Sequence, residues 1–186
     1  MPQSIAALAR EDERYRMMVG ALVEGVVIQD ARGVILACNP SAERLLGLTR
    51  DQMLGMTSID PRWRAVHEDG SPFPGEAHPA MVSLRTGLPL YDVTMGIHKP
   101  DGTLTWIAVT TQPLAEAGSK RPFAVVSSFY DITERRRAYQ AMRESEATIR
   151  KLNAALEARV GQLTGELERV RAELTALRAS LAAARD

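Results

Sequence analysis

The chain has one cysteine, three histidines and two tryptophans in 186 residues, and aromatic side chains make up only 5% of it. A lone thiol at Cys38 excludes an internal disulfide and suits a reducing cytoplasm. No apolar run reaches the roughly 20 residues that a membrane-spanning helix needs. The opening MPQSIAALAREDERYR turns charged too early for a secretory leader. Neither sign of charge predominates: 23 basic side chains face 23 acidic ones, so net charge gives no reason to expect a nucleic acid or an anionic membrane as partner. Also missing are a glycine-rich phosphate loop after a strand, a His–carboxylate pair at helical spacing and a nucleophile motif. The expectation is a cytoplasmic protein that is not an enzyme.

What is present is unevenly distributed, and it divides the chain into three. Residues 1–22 read as a short amphipathic helix, with Ile5, Leu8, Tyr15, Met18 and Leu22 at three- and four-residue spacing. Residues 23–133 hold nearly all the glycine and proline and every Trp, His and Phe, so this is the globular part. From Glu134 onward there is no proline, and Ala, Glu, Arg and Leu dominate a long helix through residue 186.

Within the globular part, EGVVIQDARGVILACN is two β-branched runs around a turn at Asp30–Gly33, a hairpin. Asn39-Pro40 starts a helix that Gly47 ends, and Thr49 with Gln52 forms a capping box closed by Gly55. A further short helix is expected at Asp60-Pro61, carrying Trp63, and another over HPAMVSLRTG. Three strands follow: YDVTMGIHK, TLTWIAVTTQPL and FAVVSSFYD. The order predicts an α+β domain with a five-stranded antiparallel sheet and helices on one face. Alternation puts Val93, Met95, Ile97, Ile107, Val109, Thr111, Val125, Ser127 and Phe129 on one side. Thr94, His98, Trp106, Ala108, Val126 and Tyr130 fall on the other. That second side is apolar enough to need a cover, from the N-terminal helix or a partner subunit around Trp106 and Tyr130.

The terminal helix has a seam. Val160, Leu163, Leu167, Val170, Leu174, Leu177 and Leu181 step by three and four, with Glu166 and Glu173 at g and Arg171 and Arg178 at the following e positions. This pairs opposite charges across a parallel coiled coil, although the mix of Leu and Val at a and d leaves dimer and trimer both open. Upstream, Met142, Ile149, Leu152 and Leu156 follow a different frame, so a stutter lies between Leu156 and Val160. Gly161 and Gly165 lie just beyond it and cost about 1 kcal/mol each relative to alanine.

Three stretches in order, GVVIQDARGVILACNPSAERLLGLTRDQMLG, PDGTLTWIAVTTQPL and VVSSFYDITERR, make residues 15–137 resemble a PAS domain. The resemblance implies a sensory or dimerisation module that controls an attached output domain, as in bacterial histidine kinases and diguanylate cyclases. It also implies that Asp131-Ile132-Thr133 is where the last strand hands over to the output helix. Physically, Asp131 can cap that helix, with Glu134 completing a capping box worth about 1 kcal/mol. A homodimer through the coiled coil and N-terminal helix is the expected assembly, with an output domain or partner protein as its target.

A pocket between sheet and helices would be lined by Val27, Ile97, Ile107, Val109, Val125 and Phe129 from the sheet and by Leu46, Met81 and Leu84 from the helices. Gln29, Thr111 and Ser127 are its polar contacts, and Trp63 with Phe73 would form a lid. Such a lining suits a small, mostly apolar ligand, and equally a packed core, which would make the chain a non-sensing dimerisation or adaptor module. Flavin is disfavoured. Where light-sensing relatives have a reactive Cys and flavin-binding amides, this chain has Ser58, Ile97, Ile107 and Phe129, and FAD-binding relatives have Trp at the place of Met81. Haem is disfavoured too, since Glu76 stands where an axial His is expected and His78 lies two residues late. His67, Glu68, Asp69, Glu76 and His78 are metal-ligand types without tight ligand spacing, so no metal is expected.

Overall fold

A computed structural model describes residues 13–14, 17–60, 62–119 and 121–183, with the side chains of 179 and 181–183 left aside. Two compact units emerge, Met1–Glu134 and Arg135–Asp186. In the first, β1 (Gly25–Asp30) and β2 (Ile35–Cys38) form the expected hairpin. Its turn closes because the Asp30 carboxylate accepts from the amides of Arg32 and Val34 while Gly33 takes φ +81°.

Two short helices follow, α1 (Pro40–Leu46) and α2 (Arg50–Met53). The Asn39 side chain accepts from the Ala42 amide at the start of α1, and Gly47 ends it in the left-handed conformation. Thr49 and Gln52 make both bonds of the capping box at α2. After β3 (Arg64–Val66) and a single 3-10 turn at Gly75–Ala77 comes α3 (Pro79–Thr86). The long strands β4 (Leu90–His98), β5 (Leu104–Leu114) and β6 (Ala124–Asp131) complete one antiparallel sheet in the order β2-β1-β6-β5-β4-β3.

The sheet therefore has six strands, one more than the sequence suggested, and the extra one replaces the helix expected around Trp63. The Asp60 carboxylate accepts from the Arg62 amide and guanidinium, and the Trp63 amide donates to the Asp60 carbonyl, which spends this segment on a turn. Ala65 then pairs with Ile97, an edge contact made 32 residues down the chain.

Register settles the faces. Met95 lies opposite Ile107, Val109 opposite Phe129 and Thr111 opposite Ser127, so the alternation predicted from sequence holds. The helix-covered side buries Val27, Ile35, Leu46, Met53, Met56, Ile97, Ile107, Val109 and Phe129 in one cluster. Gly25 is part of this packing: a Cβ there would collide with the Phe129 ring. On the other side Trp106, Val126 and Tyr130 are half-buried.

Most of the expected N-terminal helix, including Ile5, Leu8 and Tyr15, lies outside the described residues. Residues 17–20 are helical, and the segment is tied down where Asn39 donates to the Val19 carbonyl and Ser41 to that of Leu22. Met17, Met18 and Leu22 remain exposed.

The last element, α4 (Thr133–Ala183), is one unbroken helix of 51 residues, roughly 75 Å at 1.5 Å per residue. It runs through the stutter and through Gly161 and Gly165 without interruption. Ile149, Leu152, Leu156, Val160, Leu163, Leu167, Val170, Leu174 and Leu177 are all exposed along it, and the side chain of Leu181 lies outside what is described.

Candidate functional site

Between the sheet and the helices lies a cavity of about 80 Å³. The sheet contributes Val27, Gln29, Ile97, Ile107, Val109, Ser127 and Phe129 to its wall, α1 contributes Leu46, and Trp63 closes one side. Four residues expected in the wall are elsewhere. Thr111 and Val125 are fully buried in the sheet. There α3 packs on β5 and β6, and the Thr111 and Ser83 hydroxyls lie 2.6 Å apart. Met81 lies against the Gly33 turn, and Leu84 is half-buried without reaching the cavity. In their place stand Ile35, Met95 and the first residues of α3, Pro79 and Ala80, together with Ser58 and His78. Met95 was on the right face by alternation. Pro79 and Ala80 carry no sequence signal beyond opening a helix.

The wall includes no Asp, Glu, Lys or Arg. Its polar groups are mostly committed to one another or to backbone. Gln29 Nε2 donates to the Gly33 carbonyl (2.8 Å) and to Ser58 Oγ (3.2 Å), and Trp63 Nε1 donates to the Thr57 carbonyl (3.0 Å). His78 Nε2 lies 3.1 Å from the Phe73 carbonyl; a carbonyl only accepts, so Nε2 carries the proton. The Phe73 ring meets His78 edge-on and stacks on His67 at 3.9 Å. Burial pushes the His78 imidazole below its ordinary pKa, against the weaker opposing pull of its bond to Phe73. One polar atom is left over: Ser127 Oγ is buried with no hydrogen-bond partner.

Phe73, expected with Trp63 as a lid, lines a separate surface groove that shares Ser58 and Trp63 with the cavity. Among the described residues no three His, Cys, Asp or Glu side chains converge as a metal site would require. His67, Glu68, Asp69, Glu76 and His78 thus do not gather into one.

The second feature is the end of β6. Ile107, in the cavity wall, pairs with Asp131, and its neighbour Trp106 is the last β5 residue to touch the β6 side of the ladder. The Ile132 amide donates to the Trp106 carbonyl at 2.8 Å. The Trp106 amide has a side-chain acceptor. It donates to Thr133 Oγ1 at 2.9 Å. A threonine hydroxyl thereby stands in for the carbonyl of the departing strand. The buried Ile132 side chain anchors the step.

Asp131 Oδ1 accepts from the Thr133 amide at 2.7 Å. Because α4 begins at Thr133, this is a two-residue Asp turn, not the three-residue box with Glu134 expected from sequence.

A family profile described as PAS domain matches residues 23–134, more than half of the chain. Among solved structures, the PAS domain of an HTR-like protein from Haloarcula marismortui is 15% identical with a TM-score of 0.55, covering 71% of this chain and 100% of its own. A PAS domain from Colwellia psychrerythraea is 16% identical with a TM-score of 0.50, covering 66% and 97%. An RNA-binding light-oxygen-voltage receptor is 18% identical with a TM-score of 0.56, covering 73% of this chain and 37% of the receptor. At these identities the likeness is one of fold. No curated protein matches the sequence. Six antiparallel strands, helices over one face around a small cavity, and a profile match from the first strand to the start of α4 agree: the chain belongs to the PAS domain family.

Proposed function

We propose that this chain is the sensory and dimerising module of a signalling protein. Occupancy of the cavity is relayed through Asp131-Ile132-Thr133 into a parallel coiled coil that controls an output domain such as a histidine kinase. The chain itself performs no catalysis in this reading and works in the cytoplasm as a homodimer. The observation that carries it is the bond from the Trp106 amide to Thr133 Oγ1, one residue from Ile107 in the cavity wall. A shift of β5 at Ile107 changes how Trp106 holds Thr133, and with it the first turn of α4. Losing such a bond is worth about 1 kcal/mol, about a fivefold change in an equilibrium, provided that the ligand binds the two arrangements differently.

The test introduces single cysteines at Val160, Leu163 and Leu167 in a Cys38→Ser background and compares disulfide formation between copies with and without Thr133→Val. Valine keeps the shape and loses the acceptor. Preferential cross-linking at these seam positions, with a profile changed severalfold by Thr133→Val, is the expected result. An unchanged profile would sink the relay and leave a non-sensing dimerisation module. Absence of cross-links at all three positions would sink the parallel pair.

A further inference from the structure

The unpaired hydroxyl of Ser127 has a consequence for what the cavity can hold. It belongs to β6, between Val125 and Phe129 on the helix-covered face, and its residue is part of the cavity wall. Other polar groups of the wall already have partners: both hydrogens of Gln29 Nε2, the Trp63 indole N–H and the His78 Nε2–H have acceptors, and Ser58 Oγ accepts from Gln29. An ordered water needs two to four polar partners, whereas most of this wall is apolar, including Val27, Ile107, Val109 and Phe129. A molecule with one polar end and an apolar body matches the wall better.

Size narrows the class. A water takes up about 10–15 Å³ of such a cavity, so 80 Å³ accommodates a body of about five non-hydrogen atoms. Drug-sized ligands need several times more. Charge narrows it again, because an ion would enter a wall without a countercharge, where desolvation goes uncompensated. Burial disfavours the charged form of the His78 imidazole, so the wall gains no strong cation there.

We propose that the cavity binds a small neutral molecule, about five non-hydrogen atoms with one carbonyl or hydroxyl group, anchored on Ser127 Oγ. Short-chain ketones, aldehydes and alcohols are the class. This rests on the sensory reading above by naming its ligand chemistry, but it stands or falls on binding alone.

The experiment titrates the full chain with butanone, n-pentane and butyrate, following carbon-13-labelled methyl groups of Ile97, Ile107 and Val109 by NMR. Butanone should give saturable shifts at these methyls, and butyrate none. Ser127→Ala removes a buried hydroxyl that has no partner to lose, so the variant should fold as well as the parent. It should bind butanone roughly fivefold more weakly, the worth of one hydrogen bond, and n-pentane within about twofold of the parent. Failure of butanone to saturate, equal butanone affinity in Ser127→Ala, or butyrate binding as tightly as butanone would each overturn the proposal. Butanone binding that leaves the α4 cross-links unchanged would overturn the relay and leave this inference standing.

Discussion

The two units of this chain treat their apolar residues in opposite ways. In the globular unit Met53, Ile107 and Val125 are at most 1% exposed, and the sheet and helices satisfy each other. Along α4 the residues of the seam, Ile149 through Leu177, are between 47% and 66% exposed. The globular unit supplies its own core, whereas the helix carries half of one. A single amphipathic helix gains little from propensity alone, and Gly161 and Gly165 reduce that further. Under the proposed pairing, stability is local to the first unit and conditional on a partner in the second, so a perturbation of one should be separable from the other.

The largest way to break that contrast is to charge the seam. Leu163→Glu with Leu167→Glu should abolish association in sedimentation and remove most of the helical circular dichroism contributed by α4. The melting temperature of the globular unit should stay within a few degrees. If that melting falls together with the helix, the two units are one cooperative body and the contrast is wrong.

A second change should act on the globular unit alone. Thr111→Val leaves the Ser83 hydroxyl buried without its 2.6 Å partner and should cost about 1–3 kcal/mol in denaturant unfolding. Adding Ser83→Ala should restore most of it, because replacing both partners avoids the unpaired group. Association through α4 should not change. Non-recovery in the double variant would mean that packing, not the hydroxyl pair, holds α3 on β5.

The smallest effect is one of pH. The folded state holds His78 below its ordinary pKa, so the unfolded chain binds the proton more readily. This contribution to stability is fully present above the unfolded value, near 6.5, and declines as pH falls below it toward the folded value. Melting of the globular unit should therefore drop between pH 7.5 and 5.5, and His78→Gln should flatten that drop. An equal drop in the variant would assign it to other groups.

What could be read from sequence was what depends on near neighbours. Asn39, Gly47, Thr49 with Gln52, and the Asp30–Gly33 turn act over two to four residues, and each appears where the residue types placed it. The period of two fixed which face Met95, Ile107 and Ser127 share, because alternation is a property of any strand. It did not fix depth along that face. Thr111 meets Ser83 of α3, while Ile107 and Ser127 line the cavity, and the position of α3 on the sheet decides which. β3 was missed for a related reason: three residues at a sheet edge are strand only because Gly96–His98 lie beside them. The stand-in role of Thr133 was likewise out of reach, since it depends on which backbone group Trp106 faces across the ladder.

The placement of the two tryptophans has a practical consequence. Trp63 stands in the cavity wall, and Trp106 holds the first residue of α4 through its own backbone amide. The chain has no other indole. One native fluorophore therefore sits at each end of the proposed path, about as a paired donor and reporter would be engineered. Emission from a Trp106→Phe variant follows the cavity, and emission from Trp63→Phe follows the junction. Recorded in the same mixing experiment, the two traces give the order of events: the cavity responding first is a signal travelling outward, and the junction responding first is assembly acting back on the sensor.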